Sequence, residues 1–157
     1  MTTYKPEGAL LDTPENAYYL RDLSTLREAF SQGVILEART VLCDHGHDLI
    51  VDLGCTQGII PRTEGAEGTE EGTTRDIALI SRVGKPVCFQ ITGFEPGPDG
   101  GVRPVLSRRA VQAQCRRDYL DHLRPGDIID ARVTHLENFG CFVDIGCGIP
   151  SLIPIDA

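Results

Sequence analysis

The sequence predicts a mainly β fold: a five-stranded antiparallel barrel with an N-terminal helix and a linker helix, then the first strands of a second, incomplete barrel. Three observations carry that reading. Short Val/Ile/Leu runs alternate with turn residues, and 17 glycines and 10 prolines supply the punctuation. One composite pattern occurs twice in the same order, as expected of tandem small domains. Only two stretches carry the three-to-four-residue apolar spacing of helices.

The elements follow in chain order. Thr13-Pro14 opens a helix, with a capping hydroxyl and a proline in the first turn, and the stripe Leu23, Leu26, Phe30 ends at Gly33. "GVILEART", from Gly33, then matches "GDIIDARV", from Gly126, and "LIVDLGCTQGIIP" (Leu49 to Pro61) matches "CFVDIGCGIPSLIP" (Cys141 to Pro154). Each copy reads as three strands. The first runs over Val34 to Cys43 or Ile128 to Leu136, the second carries Val-Asp-x-Gly, and the third closes at Pro61 or Pro154. The first copy adds strands over Lys85 to Phe94 and Val102 to Ser107, joined by the turn "EPGPDGG". Five short antiparallel strands with one longer insertion fit a small closed barrel of the OB type.

"RRAVQAQCRRDYLDHL", Arg108 to Leu123, places Val111, Cys115, Tyr119 and Leu123 on one helical face, and Pro125-Gly126 ends it. The expected boundaries are an N-terminal extension and helix over 1–32, a first barrel over 33–108, a linker helix over 109–124 and the first three strands of a second barrel over 125–157. Three strands leave a core and an edge open, so the chain is expected to be the front part of a longer protein or to be completed by another chain.

Composition narrows the function classes. Hydrophobic content of 41% and charged content of 24% are ordinary for a globular protein. A net charge of −8 argues against a strong duplex-DNA binder but is compatible with single-strand binding by stacking and a few arginines. "TEGAEGTEEG", Thr63 to Gly72, reads as a solvated, flexible acidic loop. No long apolar run suggests a membrane span, and the N-terminus has no basic, apolar leader, so a cytoplasmic protein is expected. The six cysteines, Cys43, Cys55, Cys88, Cys115, Cys141 and Cys147, are then expected as free thiols.

No Ser/His/Asp set, phosphate-cradling loop or paired-carboxylate motif stands out, so no enzyme, catalytic residue, cofactor or small-molecule substrate is expected. "CDHGH" brings Cys43, His45 and His47 into a short stretch, with Cys55 a conceivable fourth zinc donor. The spacing is not that of a zinc motif, and it falls where a hairpin turn is expected, so no metal is expected.

The stretch "NFGCFVDIGC", Asn138 to Cys147, carries the chemistry. Strand alternation turns Cys141, Val143 and Ile145 to a core face and Gly140, Phe142 and Asp144 to the other, with Phe139 just before. An aromatic on that face either stacks a nucleobase or packs against a neighbouring domain or missing strands. The residues alone leave both open.

"RPGDIIDARVTHLENFGCFVDIGCGIPSLIPI" resembles the opening of the S1 RNA-binding domain, and "GGVRPVLSRR" resembles its closing strand. The resemblance covers about Gly33 to Ala157, and the tandem copies with a helical linker resemble the bacterial ribosomal S1 family. It implies single-stranded RNA, mRNA included, stacked on Phe139 and Phe142 of the second copy. It also implies a ribosomal small-subunit protein as partner of the N-terminal copy.

Arg103, four positions after Asp99, matches a family pattern, and Arg103, Arg108 and Arg109 are candidates for phosphate contact. Arg39 and Arg132 recur in both copies as further candidates. Two departures from the family pattern matter, one in both copies and one in the first. Pro61 and Pro154 stand where the family often has a histidine, and Ile50 replaces the Phe142 ring, leaving only His47 near the position of Phe139. With Asp48 and Asp52 beside Ile50, the first copy fits the mainly protein-docking role that the resemblance implies for N-terminal copies. The alternatives are a purely protein-binding OB module, or an accessory domain of a ribonuclease or translation factor.

Overall fold

The computed structural model describes residues 4–69 and 71–156. Glu70, in the acidic loop, lies outside them.

Helix α1 (Pro14–Tyr19) starts where Thr13 accepts the Asn16 N–H, as the Thr-Pro pair predicts. Where the sequence suggests one N-terminal helix, there are two. Asp22 starts a second, α2 (Leu23–Gln32), through a reciprocal capping box with Thr25, and Gly33 ends it in the left-handed conformation. Asp22→Ala removes the acceptor for the Thr25 N–H. A loss of about 1 kcal/mol in chemical denaturation is expected.

Strands β1 (Leu36–Cys43), β2 (Leu49–Asp52) and β3 (Gln57–Ile60) form a meander. A short helix α3 (Asp76–Ile80) follows, then β4 (Pro86–Pro96), β5 (Val102–Ser107) and α4 (Arg108–Asp118). The strands close into a barrel in the order β1-β2-β3-β5-β4, with the β3–β5 contact parallel and the rest antiparallel. Leu26, Leu36, Leu49, Val51, Ile60, Leu79, Val87, Phe89 and Leu106 fill its core. The acidic stretch is less solvated than expected. Ala66 and Thr69 are buried, and Leu79 of α3 seats the loop on the barrel.

The second sheet, β6 (Arg132–Glu137), β7 (Gly140–Asp144) and β8 (Pro150–Pro154), repeats the first meander residue for residue. Thr40 pairs with Val51 and Leu42 with Ile50 across a bulge, and Val133 pairs with Val143 and His135 with Phe142 across the same bulge. Leu49 faces Ile60 as Cys141 faces Ile153. Positions fully buried in the first copy are open in the second: Thr40 and Ile60 are 0% exposed, whereas their counterparts Val133 and Ile153 are 57% and 48% exposed. In the first copy β4 and β5 cover that face. The same difference explains why β6 begins at Arg132 rather than Ile128. The first residues of β1, Leu36 to Arg39, are held by pairing with β4, and among the described residues the second sheet has no such partner strand.

The linker helix ends at Asp118 and continues as a single 3-10 turn, Leu120–His122, short of the expected Leu123. Its buried face, Val111, Cys115 and the following Tyr119, packs with Tyr4, Cys88, Cys147 and Ile149. This second cluster joins the N-terminal segment, the barrel, α4 and the turn after β7. All six cysteines are free thiols, with Cys88, Cys115 and Cys147 buried.

A buried polar network lies beside it. Glu7 receives Arg108 Nε at 2.7 Å and Nη2 at 2.8 Å, the Cys88 N–H at 2.8 Å, and lies 3.0 Å from Arg82 Nη2. The Glu7 N–H in turn donates to Asp144 Oδ2 at 2.8 Å, and Asp144 Oδ1 accepts the Gly146 and Gly148 N–H groups at 2.9 and 3.1 Å. Two expectations are corrected here. Asp144 does not face solvent, because the N-terminal segment covers the end of β7, and Arg108 is buried and committed to Glu7 rather than open to a phosphate.

Candidate nucleic-acid interface

Phe142 is the middle of a three-residue row across the outer face of the second sheet, with His135 opposite it on β6 and Leu152 opposite it on β8. Phe139, in the β6–β7 turn, meets Phe142 edge to face with centroids 6.2 Å apart. The His135 ring lies 6.3 Å from Phe142, inclined by 29°. These separations are within the range of interacting aromatic pairs. Phe139 is 52% and Leu152 41% exposed, while Phe142 is half-buried among its neighbours.

Two local features build this surface. The bulge between Val133 and His135 moves His135 into the Phe142 row, a place strict alternation would give to Thr134. The turn places Gly140 at φ 153°, where an added Cβ would collide with the Ile153 carbonyl oxygen. Gly140→Ala is therefore expected to loosen the second sheet by about 1–3 kcal/mol. Faster hydrogen exchange over residues 140–154, with the barrel unchanged, would register it.

The corresponding row of the first barrel is Leu42, Ile50 and Ile59, with no ring. His47 sits in the β1–β2 turn with Nδ1 3.1 Å from Asp76 Oδ2, so its imidazole serves the contact between that turn and α3. Asp48 accepts the Arg62 N–H. Among the described residues no group of three His, Cys, Asp or Glu side chains is arranged to hold a metal ion.

The predicted arginines do not converge on the phenylalanines. Arg39 is exposed on β1 and donates to the Gly84 carbonyl at 3.3 Å. Arg103 grips Glu95 on the neighbouring strand through Nε and Nη2, and Arg109 reaches Glu64 at 3.3 Å. Arg132, exposed and opposite Asp144, is the one of the set on the same sheet as the rings. His135 is the residue that sequence reasoning missed. The alignment of the copies sets it against Leu42, and recognising the bulge would have turned it toward Phe142.

Over 135 residues, 83% of its length, the chain is 30% identical to the small ribosomal subunit protein bS1 of Staphylococcus epidermidis. The bS1 of Staphylococcus saprophyticus is 42% identical over 134 residues, and that of Mycolicibacterium smegmatis 29% identical over an alignment spanning 99% of the chain. The chain is homologous to bS1 ribosomal proteins. It spans about a third of the length of these bS1 relatives, 31% in each of the three. No family model matches it. No helix among the described residues is long and apolar enough to cross a membrane.

Proposed function

We propose that this chain is a non-enzymatic, cytoplasmic RNA-binding part of the translation machinery, with single-stranded RNA engaged by the outer face of the second sheet. The observation that carries the proposal is the aromatic row around Phe142, present on one copy of a repeated sheet and aliphatic on the other. Exposed rings stack any base, at about 1–3 kcal/mol each. Homology to bS1 ribosomal proteins supports the reading.

The first barrel takes the docking role. Val41 and Leu42 are 46% and 53% exposed on β1, side by side at the bulge, and no ring accompanies them. That surface suits an apolar protein contact with a ribosomal small-subunit protein better than it suits a base.

Fluorescence anisotropy with a labelled, unstructured RNA tests the proposal. Phe139→Ala is expected to weaken binding several-fold. The dependence on salt is expected to be shallow, because Arg132 is the one candidate arginine on this sheet. A slope of log K against log salt of about −0.7 to −1.4 corresponds to one or two phosphates. Binding that is indifferent to Phe139→Ala and falls steeply with salt would point to a basic surface elsewhere.

A further inference from the structure

We infer that His135 is a nucleobase-stacking residue, extending the Phe142–Phe139 pair into a three-ring platform for successive bases of one unstacked RNA strand. The inference rests on the RNA reading of this sheet and adds a residue and a binding mode to it.

Position comes first. His135 is directly opposite Phe142 in the β6–β7 ladder, and the bulge after Val133 puts both side chains on the outer face. Its side chain is 61% exposed, so it contributes nothing to a core. The ring is nevertheless held. Nε2 lies 2.5 Å from Glu137 Oε1, two residues along the strand, and the plane is inclined by only 29° to that of Phe142. A ring fixed in this way loses little further freedom when a base settles on it.

The chemistry of that edge selects the binding mode. The Glu137 carboxylate occupies one of the two ring nitrogens, Nε2, and its negative charge beside the ring disfavours a phosphate there. The exposed ring also presents its face, and imidazole faces are among the surfaces on which splayed RNA bases stack. The centroid separations of 6.3 and 6.2 Å are larger than the roughly 3.4 Å rise between stacked bases in a duplex strand. Bases taken by successive rings are therefore separated from one another, which a base-paired or tightly stacked strand cannot supply.

The first barrel provides the contrast within the same molecule. Leu42 occupies the His135 position and Ile50 the Phe142 position, in the same register with the same bulge. The platform is thus a property of side chains and not of the backbone.

Anisotropy with one labelled, unstructured RNA, comparing His135→Ala, His135→Phe, His135→Lys and Phe142→Ala in the full chain, tests this. His135→Ala is expected to weaken binding about 5-fold or more, the lower end of the stacking range. His135→Phe keeps a ring and is expected to stay within about twofold of the parent, while His135→Lys supplies a cation without a ring and is expected to behave like His135→Ala. Unchanged binding by His135→Ala, with Phe142→Ala impaired, overturns the inference and leaves the RNA reading intact. Retention by His135→Lys with loss by His135→Phe overturns it in favour of a phosphate contact. If Phe142→Ala also binds normally, the RNA reading of the row fails and the inference falls with it.

Discussion

Glu7→Ala is expected to lower the stability of the chain by about 3–5 kcal/mol, because it leaves a buried guanidinium without its counter-charge. Arg108 is 6% exposed at its side chain and Glu7 0%, so water cannot replace the lost carboxylate. The Cys88 N–H also loses its acceptor. Burial by itself would raise the Glu7 pKa, but the Arg108 charge and hydrogen bonds, Arg82 and the Cys88 N–H outweigh it and hold the carboxyl at about 2. A carboxyl depressed below its unfolded value of 4.5 stabilises the fold fully above that pH and loses its contribution as pH falls toward 2. Urea denaturation at pH 7 and at pH 3 is therefore expected to show a loss on acidification that Glu7→Gln largely removes. An unchanged midpoint for Glu7→Ala at pH 7 would show that the pair does not hold the second sheet to the barrel. Gly148→Ala approaches the same network from the other side, since its Cβ would collide with Arg108 Nη2 at a φ of +78°.

Phe142→Ala is expected to reduce RNA affinity by about 5- to 150-fold, equivalent to about 1–3 kcal/mol of base stacking. The upper half of that range is appropriate, because Phe142 lies between His135 and Phe139 and its removal takes away the ring that both pack against. Phe142 belongs to neither buried cluster, so the barrel and its junction with the second sheet remain folded in the variant. Ile50→Ala, the equivalent change in the first barrel, is expected to shift RNA affinity less than twofold. Parallel titrations of the two variants check this, and equal losses would mean that both copies bind RNA in the same way.

The first three barrel strands are legible in the sequence because they are written as short motifs that occur twice, and both ladders share their register and their bulge. The phenylalanines are legible for a similar reason: strand alternation alone turns Phe142 away from the core. What stays hidden depends on contacts between distant segments. Asp144 looks like a solvent-facing strand residue until the Glu7 N–H, 137 positions away, covers it. Arg108 looks like a basic helix start until Glu7, 101 positions away, claims it. His135 is hidden by something local, one extra residue in a strand, which reverses facing without leaving a mark in composition. The break between α1 and α2 is likewise local, set by the Asp22–Thr25 capping box inside what reads as one helical stretch.

The second sheet, and not the first barrel, is the proposed RNA-binding surface. Amide chemical-shift mapping of the nitrogen-15-labelled chain during titration with an unstructured RNA tests it most directly. Shifts are expected to concentrate at Thr134 to Phe142 and at Leu152, with Val41, Leu42, Ile50 and Ile59 unmoved. Shifts centred on those four residues, with the second sheet silent, would contradict it.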